Sequence, residues 1–309
     1  MRRLKIRQGR AKEILLRQVR KQRLKYITVL PSLVTILNGV CGFLAIIFAS
    51  EGAEHSFAHI SYFAIAGYMI LLAMIADMLD GRLARMSQST SSFGGQLDSL
   101  CDVISFGVAP AFLMLKVLEH NLELAGFADD SFLLRSVWLA AAAYISCAAI
   151  RLARFNVENE EDESAHMSFS GLPTPAAAGV IVSLIILYQE TLPTFNTIIY
   201  ALPFLALVIS ALMVSRIRYP HLLNQYLRGK KPFAHLLRVL LLLALIVWNR
   251  QAALVVIFCG FAASSPLKWL YYRMIHKRHF IVEPKPATLA GADETGVYEP
   301  PDNPYEAEN

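Results

Sequence analysis

Eight long apolar stretches, nearly free of charge, constrain this chain more than any other feature. They fall at 27–50, 59–81, 95–118, 135–153, 173–189, 198–214, 234–249 and 253–271. Such runs are the signature of lipid-embedded helices, although several are near the short end for crossing a hydrocarbon core of about 30 Å. The last two form a hairpin that turns at Asn249, Arg250 and Gln251. Composition agrees: 55% of residues are hydrophobic and 17% charged, against about 25% charged in a soluble domain. The expected fold class is all-α, a polytopic membrane helix bundle.

Charge is gathered into blocks. Eleven of the 29 Lys and Arg lie in the first 25 residues, where Ile and Leu are interleaved among them. A net charge of +5 can signal nucleic acid, but basic residues beside apolar spans face an anionic membrane surface instead. The basic head suits an amphipathic interfacial helix or a flexible tail held by anionic lipids. It is long for the n-region of a cleaved signal peptide, and no clear A-x-A site follows, so the first span is expected to stay.

Orientation follows from the same asymmetry. With an inside N-terminus, the inside segments hold the basic head, Arg82, Arg85, Arg151, Arg154, the stretch RIRYPHLLNQYLRGKK and the flank Lys268, Arg273, Lys277 and Arg278. The outside loops hold only Arg250. Both ends are therefore expected to be cytoplasmic. The expected organisation is a basic head at 1–26, a catalytic core at 27–214, a basic loop and helical hairpin at 215–281, and a Pro-rich, acidic, disordered tail at 282–309.

Cys41, Cys101, Cys147 and Cys259 all fall inside apolar segments without CxxC spacing, which excludes a disulfide framework or a zinc site and leaves packing. The eight histidines are scattered and carry no HExxH.

The chemistry concentrates where the second and third spans meet the inside face, in IADMLDGRLARMSQSTSSFGGQLDSLCD. Asp77 and Asp80 are three apart, and Gly81 is four from Asp77, so on a helix all three share one face. Asp98 and Asp102 are four apart, with Gly94 one turn earlier. The short polar linker makes the two helices antiparallel neighbours, so four carboxylates converge. Four acids in one cleft cannot all stay ionised without a counter-charge. Hard divalent cations with oxygen ligands meet that need, and two of them can clamp a phosphate during an in-line displacement. The glycines admit close approach of nucleotide and phosphate, and Arg85 is placed to bind a phosphate oxygen.

Written as D-x2-D-G-x2-A-R-x8-G-x3-D-x3-D, the pattern is filled at every position by Asp77, Asp80, Gly81, Ala84, Arg85, Gly94, Asp98 and Asp102. This resembles the signature of the CDP-alcohol phosphatidyltransferases. The resemblance implies a six-helix core, here with about two extra C-terminal transmembrane helices, and a homodimer with its site open to the cytoplasmic leaflet of an inner or plasma membrane. It implies Mg²⁺ or Mn²⁺, two ions, held by Asp77, Asp80, Asp98 and Asp102, with Asp102 also accepting the proton of the acceptor hydroxyl. Gly81, Ala84, Arg85, Ser91 and Gly94 are the implied contacts to the CDP-lipid. Where the family often opens its first helix with P-N-x-x-T, this chain has Pro31, Ser32, Leu33, Val34 and Thr35, so the Asn is replaced and the resemblance does not carry a nucleotide contact over to that position.

Three further stretches resemble the phosphatidylserine synthase branch: LPSLVTILNGVCGFLAI (30–46), FGGQLDSLCDVISFGVAPA (93–111), and RLARFNV with GLPTPAAAG (151–179). They imply CDP-diacylglycerol and L-serine as substrates. Arg151 and Arg154 are candidates for the serine carboxylate or the donor phosphate, or are ordinary inside flanking charge. Asn38 needs a partner in its apolar span, as packing glue or as a ligand contact. Gly171 to Pro175 is expected to turn into a helix start, and 156–166 to be a solvated acidic loop. The alternatives are a relative using glycerol 3-phosphate, an inositol phosphate or choline, and a divalent-cation or proton transporter. A transporter would spread polar groups across the midplane, whereas these acids cluster at one end of two helices.

Overall fold

The structure, a computed structural model, describes residues 31–52, 56–57, 60–87, 92–126, 131–161, 169–219 and 249–279. The elements in order are α1 (Pro31–Glu51), β1 (Ser56–Phe57), β2 (Ile60–Ser61), α2 (Tyr62–Ser87), α3 (Ser92–Asp102), a π-helical turn (Val103–Val108), α4 (Ala109–Leu124), α5 (Ser131–Glu161), β3 (Phe169–Ser170), α6 (Thr174–Glu190), α7 (Asn196–Val214), β4 (Arg218–Tyr219) and α8 (Arg250–His279). The protein is a polytopic all-α bundle. Six helical segments of the described residues are long and apolar enough to cross a membrane: α1, most of α2, the continuous α3–α4 rod, the middle of α5, α7 and most of α8. The 17-residue α6 is shorter but equally apolar. The first helix of the expected C-terminal hairpin, 234–249, lies almost wholly outside the described residues, as do the basic head and the acidic tail.

The core mixes small side chains with large ones such as Phe63, Phe106 and Leu113, and the outer surface is apolar too. Small side chains such as Ala45, Ala66, Ala73, Ala109, Ala148 and Ala177 are buried, while Phe43, Leu72, Trp138, Leu139 and Phe204 point outward. In lipid there is no hydrophobic gain from sequestering a large side chain, so helices associate where small residues let backbones approach. The principal pairings are α5 on α7 and α2 on α6. Contacts divide the chain into Met1–Trp269, which holds this core, and Leu270–Asn309, of which the last turns of α8 are described.

Two local features position the site. The π turn interrupts the third rod directly after Asp102, and a carbonyl there, Phe106 O, accepts a hydrogen bond from the buried Tyr144 hydroxyl at 3.0 Å. Such single turns shift the faces of the two flanking helical halves relative to each other. The second is the entry to α6. β3 pairs antiparallel with β4, Gly171 N donates to Ile217 O at 2.9 Å, and Leu172 N donates to Leu212 O at 3.0 Å. Gly171 has φ +84°, and a Cβ there would collide with Met213 O, so this turn requires glycine. Pro175 then sits in the first turn of α6, as expected of a helix start.

One expectation is corrected. The acidic segment from 156 does not leave the helix at the end of the span: α5 continues through Glu161. Its extension is held to α3 by a side-chain bond between Asn156 and Ser99 at 2.9–3.0 Å. In water beyond the bilayer, continued helix still satisfies the backbone, so the loss of hydropathy does not end it.

Candidate active site

Aspartates on α2 and α3 converge on a common point. Carboxylate oxygens of Asp77, Asp98 and Asp102 all lie within 4.8 Å of one another. Oxygens bound to a single ion at about 2.1–2.5 Å lie at most about 5 Å apart, so the three fit a divalent cation as they stand. Asp80, buried, stands close enough to all three to repel them. It also lies against Thr35 of α1 and the backbone of Gly81. Asp80 Oδ2 and Asp98 Oδ1 are buried without a hydrogen-bond partner among the described residues. Four clustered acids, two of them with a buried oxygen left unsatisfied, fit bound cations.

Among the described residues, Arg151 brings a positive charge close to the cluster. Arg151, on α5, is 8% exposed, donates from Nη1 to Thr174 Oγ1 at 2.6 Å, and acts electrostatically on Asp77. The GLPTP turn thus sets Thr174, and Thr174 helps to set the arginine. Arg154, one turn on, is half-buried. On α1, Asn38 is fully buried and donates from Nδ2 to Asp102 Oδ1 at 2.9 Å.

Gly81 is exposed, and a Cβ there would meet nothing within 4 Å, so no packing demands glycine at that position. Ala84 is half-buried on the next turn of α2, and Gly94 is half-buried one turn before Asp98. Arg85 lies on the last turn of α2 with its side chain outside the described part, and Ser91 lies outside the described residues. Thr35 was not among the expected site residues. Its signal in the sequence is the retained Pro-x-x-x-Thr at the start of α1.

The sequence profile of the CDP-alcohol phosphatidyltransferase family matches residues 28–215. The chain belongs to that family. The matched segment runs from the end of the basic head to the end of α7 and contains every aspartate of the cluster. CDP-alcohol phosphatidyltransferases are metal-dependent in general, which agrees with the donor set found here. Among curated relatives, the chain is 32% identical over 243 residues to a CDP-diacylglycerol–serine O-phosphatidyltransferase of Helicobacter pylori, covering 78% of this chain and 91% of that one. A protein of the same name from Methanocaldococcus jannaschii is 36% identical over 213 residues, 69% of this chain and 81% of the relative. A third, from Bacillus subtilis, is 33% identical over 192 residues, 62% of this chain and 90% of the relative.

Proposed function

We propose that this protein transfers the phosphatidyl group of CDP-diacylglycerol to the hydroxyl of L-serine, giving phosphatidylserine and CMP. The observation that carries the reading is the buried aspartate cluster inside a membrane bundle, in a chain whose relatives over most of its length are named as serine transferases. The serine oxygen forms a bond to the phosphatidyl phosphorus, the pyrophosphate bond breaks, and CMP leaves with the electron pair. Asp102 takes the hydroxyl proton. Its Oδ1 is engaged by Asn38, which leaves Oδ2 for that work.

Asp77, Asp80, Asp98 and Asp102 would hold Mg²⁺ or Mn²⁺, as two ions, and bound metal would neutralise the charge building on the transferring phosphate. Gly81, Ala84, Arg85, Ser91 and Gly94 form the donor side; the open space in front of Gly81 supports close approach of the nucleotide there. Arg151 and Arg154 serve the serine carboxylate or the donor phosphate. A guanidinium already oriented by Thr174 loses little freedom on meeting an anion, which favours Arg151 for this role. The active form is a homodimer in the inner or plasma membrane, with both termini and the site cytoplasmic, as the Lys/Arg asymmetry supports.

CMP release by purified protein from CDP-diacylglycerol, compared across L-serine, glycerol 3-phosphate, an inositol phosphate and choline, tests the reading. Serine should be preferred; preference for another alcohol overturns the acceptor while leaving the family.

A further inference from the structure

We infer that Asn38 is a positioning residue for Asp102, and that its free amide oxygen receives the ammonium of the amino-alcohol acceptor. The inference deepens the serine reading and rests on it. An asparagine in an apolar span has to find partners, and Asn38 is fully buried. Its Nδ2 donates to Asp102 Oδ1 at 2.9 Å across 64 residues of sequence. Amide geometry then leaves Oδ1 as the one unused polar atom, and it is buried without a hydrogen-bond partner among the described residues.

The stretch of α1 that carries Asn38 is held against the π turn. Ser105 Oγ, in the π turn, donates to the main-chain oxygen of Asn38 at 2.9 Å. One turn along α1, a Cβ on Gly42 would lie 2.7 Å from Ser105 Cα, so α1 and the π turn are in direct contact there. Asp102 is the residue on which that π turn begins. The distance between Asn38 and Asp102 is therefore fixed by the fold before any substrate arrives. A buried acceptor oxygen beside the group that takes the hydroxyl proton lacks only a donor. Serine brings one, since its ammonium and hydroxyl are on adjacent carbons. The pairing gives each side-chain end of Asn38 a separate duty: Nδ2 orients the base, and Oδ1 meets the acceptor.

Two substitutions separate the duties, read by steady-state kinetics on the full-length protein with saturating Mg²⁺. Asn38→Ala removes both. Loss of a hydrogen bond to a charged group predicts a kcat lower by about 10- to 100-fold. The KM for serine should rise at least about fivefold, while that for CDP-diacylglycerol stays within about twofold. Asn38→Asp keeps the size and an acceptor oxygen but loses the N–H toward Asp102. Its kcat should fall as far while its KM for serine stays within about twofold of the unmodified protein. Parallel rises in both KM values, or an unchanged kcat in both variants, overturn the inference and leave Asn38 as helix packing. Should neither variant fold, Ser105→Ala is read instead, because it removes only the hydroxyl clamp. A kcat lower by about threefold with an unchanged donor KM is expected, and an unchanged kcat overturns the inference. If the unmodified protein uses another alcohol, the serine reading fails on that result alone, and the same kcat comparisons with that alcohol still decide the positioning role.

Discussion

Replacing Asp102 with Asn separates the charge of this carboxylate from its shape. The cluster brings oxygens of Asp77, Asp98 and Asp102 within 4.8 Å of one another. Two ionised carboxylates at that range repel by about 3.5 kcal/mol at an effective dielectric constant of about 20. Asp102→Asn removes two such pairs and keeps the bond from Asn38, whose strength falls by about 1 kcal/mol when its acceptor becomes neutral. Solvent and counter-ions screen part of that repulsion in the metal-free protein, so a net gain of about 2 kcal/mol is expected. That corresponds to a midpoint of thermal unfolding roughly 4–8 °C higher in chelator for the variant. With saturating Mg²⁺ the order should reverse, because the unmodified site offers one more anionic ligand and gains more from the ion. Turnover should fall at least about 10²-fold at every Mg²⁺ concentration, as for loss of general-base help. Differential scanning fluorimetry in detergent, with and without chelator, reads the first effect, and CMP release reads the second. A variant destabilised by the same margin in chelator and in Mg²⁺ would refute the charge argument and leave Asp102 as a structural partner of Asn38.

Chelation should abolish CMP release and Mg²⁺ or Mn²⁺ should restore it; full activity in excess chelator would remove metal from the mechanism. Cysteines replacing His55 or Ala125 should react with an impermeant thiol reagent outside intact cells, and those replacing Thr90 or Gln225 should not. The opposite pattern would put the site on the wrong face for a cytoplasmic donor. Arg151→Lys keeps the charge but loses the fork that meets Thr174 at 2.6 Å, so the KM for serine should rise more than that for CDP-diacylglycerol. Equal changes in both would assign Arg151 to the donor phosphate or to packing.

Helical periodicity made the acidic site legible. Spacings of three and four put Asp77 with Asp80, and Asp98 with Asp102, each on one face, and a linker too short for any other arrangement turned the faces together. Hydropathy located α1 to α7 for the same reason, since lipid demands long uncharged helices. Partners across the bundle were not legible. Periodicity says which face a residue occupies and nothing of what it meets, so Asn38 announced a need without naming Asp102, and Arg151 without naming Thr174. The π turn was hidden because Val103–Val108 is as apolar as the helices on either side. The β3–β4 pair was hidden because two residues per strand carry no alternation to detect. The extension of α5 to Glu161 was missed because a fall in hydropathy marks the edge of the bilayer, which is not the end of a helix.

The most direct test follows both halves of the reaction in one vessel. Purified protein is given CDP-diacylglycerol and radiolabelled L-serine, and labelled lipid and released CMP are counted together. The account predicts one mole of labelled phosphatidylserine per mole of CMP, with both lost in chelator and in Asp102→Asn. CMP released without serine entering lipid, or labelled lipid formed at full rate by Asp102→Asn, would contradict it.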